Sequence, residues 1–281
     1  MQPRLKISLE DIKSNWKLLN DASAGKAAAV IKANAYGMGM LKVAGALTNA
    51  GCKYFYVANI NEGIKLRKKY KSKKISIAIF EGYFESYQKI YAEHNLIPIL
   101  NNLEQLIRFK KYAVGQLKPK AILNIDTGMN RLGLNQNERH ILVHNREMLD
   151  DIEIDYIMSH LANAQDNENE NNLLQLNKLI NFSKNFPDIK LSLANSGGIK
   201  LGSKFCLDQT RPGIGLYGID NFGKSFKLNS KKLKFPLKLL APIIQIKKAN
   251  AGEPISYGGI DILKKNSTLA TVGIGYADGW L

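Results

Sequence analysis

The 281 residues carry a formal charge of +16, from 40 basic and 24 acidic side chains, and 45% of them are hydrophobic. That apolar content fits a globular chain with a sizeable core, and no apolar run approaches the roughly 20 residues of a membrane span. Only seven of the basic residues are Arg and the lysines are scattered, so the charge predicts a solvated surface that attracts anionic ligands, without a nucleic-acid partner. Cys52 and Cys206 are too few and too far apart for a disulfide framework. The N-terminus MQPRLKISLEDIK has charges where a signal peptide needs an apolar core, so a cytoplasmic protein is expected, with no membrane partner.

Taken in chain order, short β-rich runs alternate with amphipathic stretches. Strands are expected at Ala28–Ala33, Tyr54–Asn59, Ile75–Phe80, Leu96–Leu100, Ala121–Asp126, Ile154–His160 and Leu191–Asn195, with a weaker one at Cys206–Gln209. Between them, Ile60–Lys71, Leu103–Tyr112 and Asn171–Phe186 space their apolar residues as helices do. Eight strands, each followed by a helix, predict an α/β fold of the (β/α)8, TIM-barrel type; a doubly wound open sheet has the same periodicity. After Gly218 the character changes. A Lys-, Asn- and Ser-rich linker gives way to strands at Leu240–Lys247 and Ser267–Ile274, with AGEP and YGG as turns, which predicts a partial, mostly β second domain. The expected division is therefore a barrel at 9–222, a linker at 223–236 and the β domain at 237–281.

In such a barrel the site forms at the C-terminal ends of the strands. The polar residues there are Lys32, Asp126 with Arg131 close behind, His160, Asn195 with Ser196, and Arg211. Lys32 follows five apolar residues in AAAVIK, so partial desolvation is expected to lower its pKa and free the amine to attack a carbonyl.

VIKANAYGMG (Val30–Gly39) is very similar to the alanine racemase segment around the lysine that carries pyridoxal 5′-phosphate (PLP) as a Schiff base. The resemblance continues in order through IDTGMNRLG (Ile125–Gly133), SHLANA (Ser159–Ala164), ANSGG (Ala194–Gly198) and TRPGIGLYG (Thr210–Gly218). It ends in ISYGG (Ile255–Gly259) and IGYADGW (Ile274–Trp280) of the second domain. It implies PLP as cofactor, bound by Lys32, Tyr36, His160, Asn195, Ser196, Arg211, Gly213 and Ile214. Tyr36, Ser196 and the amides of Gly213 and Ile214 are expected at the phosphate, and Arg211 at the ring nitrogen. A permanently charged guanidinium there disfavours ring protonation, which suits racemisation better than transamination. Lys32 and Tyr257 are implied as the two catalytic bases, with Arg131 and Tyr276 at the substrate. Both tyrosines would be supplied by the partner of a homodimer. A phenol is a poor base at neutral pH, so Tyr257 needs a cation nearby, and Arg131 matches that role. The implied reaction is the interconversion of L- and D-alanine for peptidoglycan. The 1–8 segment matches the family's opening strand, which joins the second domain.

The chain departs from the family pattern in places. Asn124 stands where many members have a carbamylated lysine that orients the arginine, and its amide, helped by a bound anion such as chloride, is expected to take over. Ser192 replaces a histidine bonded to the pyridine-facing arginine, and Gln165 replaces an acidic residue at the inner gate. Family members continue beyond YADGW, so a second domain lacking its C-terminal part is expected. The alternative is then a PLP-binding protein without catalysis.

Overall fold

Seven short apolar runs form one parallel sheet. After β1 (Arg4–Ile7) come β2 (Ala29–Val30), β3 (Tyr54–Val57), β4 (Ser76–Ile79), β5 (Ile97–Leu100), β6 (Lys120–Asn124), β7 (Glu153–Met158) and β8 (Leu191–Ser192), and β2 to β8 pair strictly in sequence order. The computed structural model describes residues 2–71, 74–115, 117–219 and 232–280. The sheet curls until its edges meet. Gln209 bridges Ser192 of β8 and Thr210 bridges Ala27 just ahead of β2, both in parallel. Ala28 N–H donates to Thr210 O at 2.9 Å, Val30 N–H to Pro212 O at 3.0 Å, and Arg211 N–H to Ala194 O at 2.8 Å. Residues 209–212 thus act as the eighth strand, and the open doubly wound alternative is excluded. The expected eighth strand began too early, because Ser203–Cys206 is a helical turn and Leu207, at φ 46°, redirects the chain before pairing starts.

The barrel interior is filled by side chains, as closed barrels of this size require. Small Ala28 and Ala78 lie alongside the large ring of Tyr56, with Val30, Ile97, Ile99, Ile122 and Met158 completing the cluster. Outside, Ile12, Trp16 and Leu19 give the helix Leu9–Ala22 one buried stripe at helical spacing. Asparagine starts several helices. Asn59, Asn102 and Asn135 each accept the N–H of the residue three further on, capping Ile60–Lys69, Leu103–Ala113 and Gln136–His144. The starts expected at Ile60, Leu103 and Asn171 agree with the structure, and the ends differ by one to three residues, as fraying ends do. Gln136–His144 is a helix that the sequence reading did not expect.

The larger departure is at the first barrel strand. Pairing stops at Val30, and Ala33, Asn34, Ala35 and Tyr36 take φ between 51° and 57°, a run in the left-handed region. Each such residue with a Cβ costs about 1–2 kcal/mol. A strand was expected through Ala33 because nothing in KANAY itself signals that turn; the glycines come after it, at 37 and 39.

By Cα proximity the chain divides into Leu9–Pro236 and a second unit, Met1–Ser8 with Leu237–Leu281. In the latter, β1 pairs antiparallel with β9 (Leu237–Leu240), and β10 (Ile243–Ala249) pairs with β13 (Ser267–Val272). Between them, β11 (Pro254–Ile255) pairs with β12 (Asp261–Ile262). The strand expected from Leu240 is split at Ala241–Pro242, where proline offers no N–H to the ladder. Most of the expected 223–236 linker lies outside the described residues; near its end, Lys234 exchanges bonds of 2.7 and 2.8 Å with the buried amide of Asn15.

Candidate active site

A cavity of about 660 Å³ opens where the barrel strands end. Lys32, Arg131, His160 and Arg211 line it, together with Tyr36, Asn195, Ser196, Gly213 and Ile214. Nine of the eleven sequence-predicted residues therefore meet at one mouth. Tyr257 and Tyr276 do not line it: they belong to the second unit, each in a short 3-10 turn, and are 99% and 90% exposed.

Lys32 follows the end of β2, with its Nζ 5.7 Å from the centre of the Phe80 ring. Burial and then the charge of Arg131 pull its ammonium below the ordinary lysine value, partly offset by Glu62. The neutral amine, the nucleophilic form, is correspondingly more accessible.

Arg211 is 2% exposed, and burial lowers its pKa from a value so high that the guanidinium stays charged. One terminal nitrogen donates to Ser192 Oγ, the other to Ser159 O at 2.5 Å and, more weakly, to Leu193 O at 3.4 Å. Ser192 thus stands in for the histidine: it accepts from the guanidinium and its own hydroxyl donates to Gln209 O at 2.8 Å. Arg211 Nε–H has no acceptor among the described residues. An unpaired donor on a buried cation is costly unless a ligand acceptor meets it.

His160 follows β7 with Nε2 3.4 Å from Asn195 Nδ2. Burial, reinforced by Arg211, Arg131 and Lys32, pushes its pKa down to about 3. It is a neutral, flat ring beside the cavity, suited to stacking on an aromatic ligand. Gln175, fully buried on the helix Asn171–Ser183, fixes this segment by donating to His160 O at 2.9 Å and accepting Ala162 N–H at 2.8 Å.

The remaining residues form an anion cradle. Ser196 Oγ accepts the amides of Gly213 and Gly215, both at 3.0 Å, which leaves its own proton available. Tyr36, whose phenol burial keeps protonated, rests against Tyr217 with ring centres 4.9 Å apart. Its hydroxyl lies so close to Gly213 that a Cβ there would come within 2.6 Å. A phenol donor, a serine hydroxyl and a glycine backbone of close approach are the groups that hold phosphates next to the last strands of barrels.

Arg131 sits on a loop fixed by Asp126, whose carboxylate accepts the amides of Gly128, Met129 and Asn130 at 2.8–3.2 Å. Arg139 holds the other side of this loop through Asp126 O and Leu134 O. The Asn124 amide does not bond Arg131 as expected: it donates to Asn101 Oδ1 at 2.8 Å, and Asn101 donates to Phe80 O at 2.9 Å. Asn101, Phe80 and Glu81 also line the cavity and were missed in the sequence; their place at the ends of β4 and β5 was the available signal. Among the described residues no cluster of His, Cys, Asp or Glu could hold a metal, and no helix is long and apolar enough to cross a membrane.

The fold and site define a closed α/β barrel with a lysine, an anion cradle and an unsatisfied arginine donor gathered at its mouth. Residues 7–221 match the family described as alanine racemase, N-terminal domain, and residues 237–281 the alanine racemase C-terminal domain. The alanine racemase of Rickettsia bellii is 41% identical over 254 residues, covering 90% of this chain and 61% of the relative; that of Rickettsia canadensis is 39% identical, covering 98% and 75%. The crystal structure of alanine racemase from Bartonella henselae with covalently bound pyridoxal phosphate superposes with a TM-score of 0.91 at 37% identity, over 100% of this chain and 77% of that one. The chain belongs to the alanine racemase family, and it spans between three fifths and four fifths of the length of these relatives.

Proposed function

We propose that the chain interconverts L- and D-alanine with PLP held on Lys32, in the cytoplasm and in the service of peptidoglycan synthesis. The observation that carries this reading is the Arg211 Nε–H: a buried cationic donor without an acceptor among the described residues, lining the same cavity as a lysine of lowered pKa. The residues present fit the cofactor. Tyr36, Ser196 and the Gly213–Ile214 backbone would hold its phosphate, His160 would lie against its ring, and Arg211 would donate to its ring nitrogen. When bound, PLP supplies an electron sink that makes the Cα–H of an attached amino acid acidic.

The protein residues then have defined tasks. Lys32, its amine free once substrate is attached to the cofactor, would move a proton at one face of Cα. The partner subunit's Tyr257 serves the opposite face, and the partner subunit's Tyr276 lines the way in. Arg131 faces the same cavity and is available to a substrate carboxylate and to the tyrosine. Arg211, a permanent cation placed at the ring nitrogen, would disfavour ring protonation and so would favour return of a proton to Cα over transfer of the amino group.

The test is D-alanine formation from L-alanine by this chain with added PLP, beside Lys32→Ala. Activity that vanishes in the variant supports the proposal. PLP bound to Lys32 with no D-alanine formed would mean a cofactor-binding protein that does not racemise.

A further inference from the structure

We propose that Glu62 is a positioning residue for the cofactor lysine: its carboxylate holds the left-handed turn Ala33–Tyr36 and so sets how Lys32 and Tyr36 enter the cavity. This rests on the reading of Lys32 as the residue that carries PLP. Glu62 is half-buried at the start of the helix Ile60–Lys69, and each of its oxygens accepts one backbone amide. Oε1 takes Asn34 N–H at 2.8 Å and Oε2 takes Ala58 N–H at 2.9 Å.

In sequence, Asn59-x-x-Glu62 reads as a capping box, in which the glutamate reaches back to the N–H of the capping residue. At Asn135-x-x-Glu138 the box closes in that way, with Asn135 N–H donating to Glu138 at 2.9 Å. At Asn59 it does not. The carboxylate instead joins the residue after β3 to the middle of the turn after β2, across two adjacent strand ends.

The turn needs an external hold. Its other bonds close it on itself: Ala35 N–H to Ile31 O, Gly37 N–H to Ala33 O, Gly39 N–H to Asn34 O, and Met40 N–H to Asn34 Oδ1. Four consecutive residues with a Cβ at positive φ persist only where the surroundings over-determine them. Lys32 precedes that stretch and Tyr36 ends it, so a return to right-handed or extended backbone would swing one relative to the other and separate the lysine from the anion cradle. The glutamate charge also acts on Lys32 directly, opposing burial and Arg131.

The test compares the parent with Glu62→Gln, Glu62→Ala and the double variant Glu62→Ala/Ala33→Gly. Ala33 is not buried, so its change to glycine removes little packing and eases positive φ. Two quantities are measured: amide hydrogen exchange of the cofactor-free protein, and capture of PLP on Lys32 at limiting PLP, read by mass after borohydride reduction. Loss of a charged acceptor from two amides is expected to speed exchange across 33–40 and weaken PLP capture, each by about tenfold in Glu62→Ala, with Glu62→Gln intermediate. Exchange in β5 to β7 stays as in the parent, and Ala33→Gly restores part of the capture. Unchanged capture in Glu62→Ala, lost capture with unaltered exchange at 33–40, or no recovery with glycine would overturn the proposal. Should Glu62→Ala lose its fold, seen as exchange throughout, the same comparisons apply to Glu62→Gln with and without Ala33→Gly. A parent that captures no PLP would defeat the functional reading alone, because the exchange comparison still decides the clamp.

Discussion

Burial of the His160 ring, reinforced by the three cations Arg211, Arg131 and Lys32, lowers its pKa to about 3. An unfolded histidine titrates near 6.5. Between those values the unfolded chain takes up a proton that the folded chain refuses, so stability is lost progressively as pH falls from about 6.5 toward 3. The cofactor-free protein should therefore show a His160 imidazole still neutral at pH 5 by long-range 1H–15N correlation. Replacement by Gln should flatten the fall of Tm over that window. An imidazole titrating at its ordinary value would show that water reaches the ring freely and that the site is not desolvated. At this scale the sequence motif supplied the residue, while the reason for its neutrality, burial at the barrel mouth reinforced by three cations from separate strand ends, required the fold.

Helix Ile60–Lys69 shows how an element is tied to the sheet it covers. Arg67, 6% exposed, turns inward from its last turn and donates to His94 O at 2.8 Å, Ile75 O at 3.0 Å and Asn95 O at 3.1 Å. Burial lowers its pKa, yet a guanidinium remains charged at neutral pH. Arg67→Ala would leave those carbonyls unpaired and a void beneath the helix, with an expected loss of about 2–4 kcal/mol in urea unfolding and little change in PLP affinity. A loss below about 0.5 kcal/mol, the ordinary range for surface substitutions, would mean that water replaces the guanidinium at no cost. Arg67 reads in sequence as one more charge in the basic run Arg67–Lys69, and only the packing separates it from its neighbours. The helix starts at Ile60, Leu103 and Asn171 were legible because apolar spacing is a local signal, whereas Gln136–His144 was missed although Asn135 and Glu138 form a capping box at its start. The left-handed turn after Lys32 was not legible, because Ala33 and Ala35 carry no preference for it and the hold on it comes from Glu62, 28 residues beyond Asn34. Gln175 was equally hidden, since one polar residue in an amphipathic stretch gives no sign of which face it occupies.

At the scale of the whole molecule, the barrel brings together in one cavity the residues expected to hold a cofactor, but it contains neither tyrosine expected at the substrate. Tyr257 is 99% exposed in a turn between β11 and β12, and the rigid phenol offers its hydroxyl to whatever lies opposite. If the second base comes from a partner subunit, each complete site takes Lys32 from one chain and Tyr257 from the other, and a two-fold dimer builds two such sites. Lys32→Ala and Tyr257→Phe would each be inactive alone, since every site in either protein lacks one base. Co-expressed, they form hybrid dimers in which one site lacks both groups and the other keeps both. Racemase activity well above that of either variant is therefore expected from the purified hybrid. A tyrosine working within its own chain leaves no complete site in any combination, so a hybrid as inactive as its parents would place the second base in the same subunit and remove the catalytic reason for dimerisation.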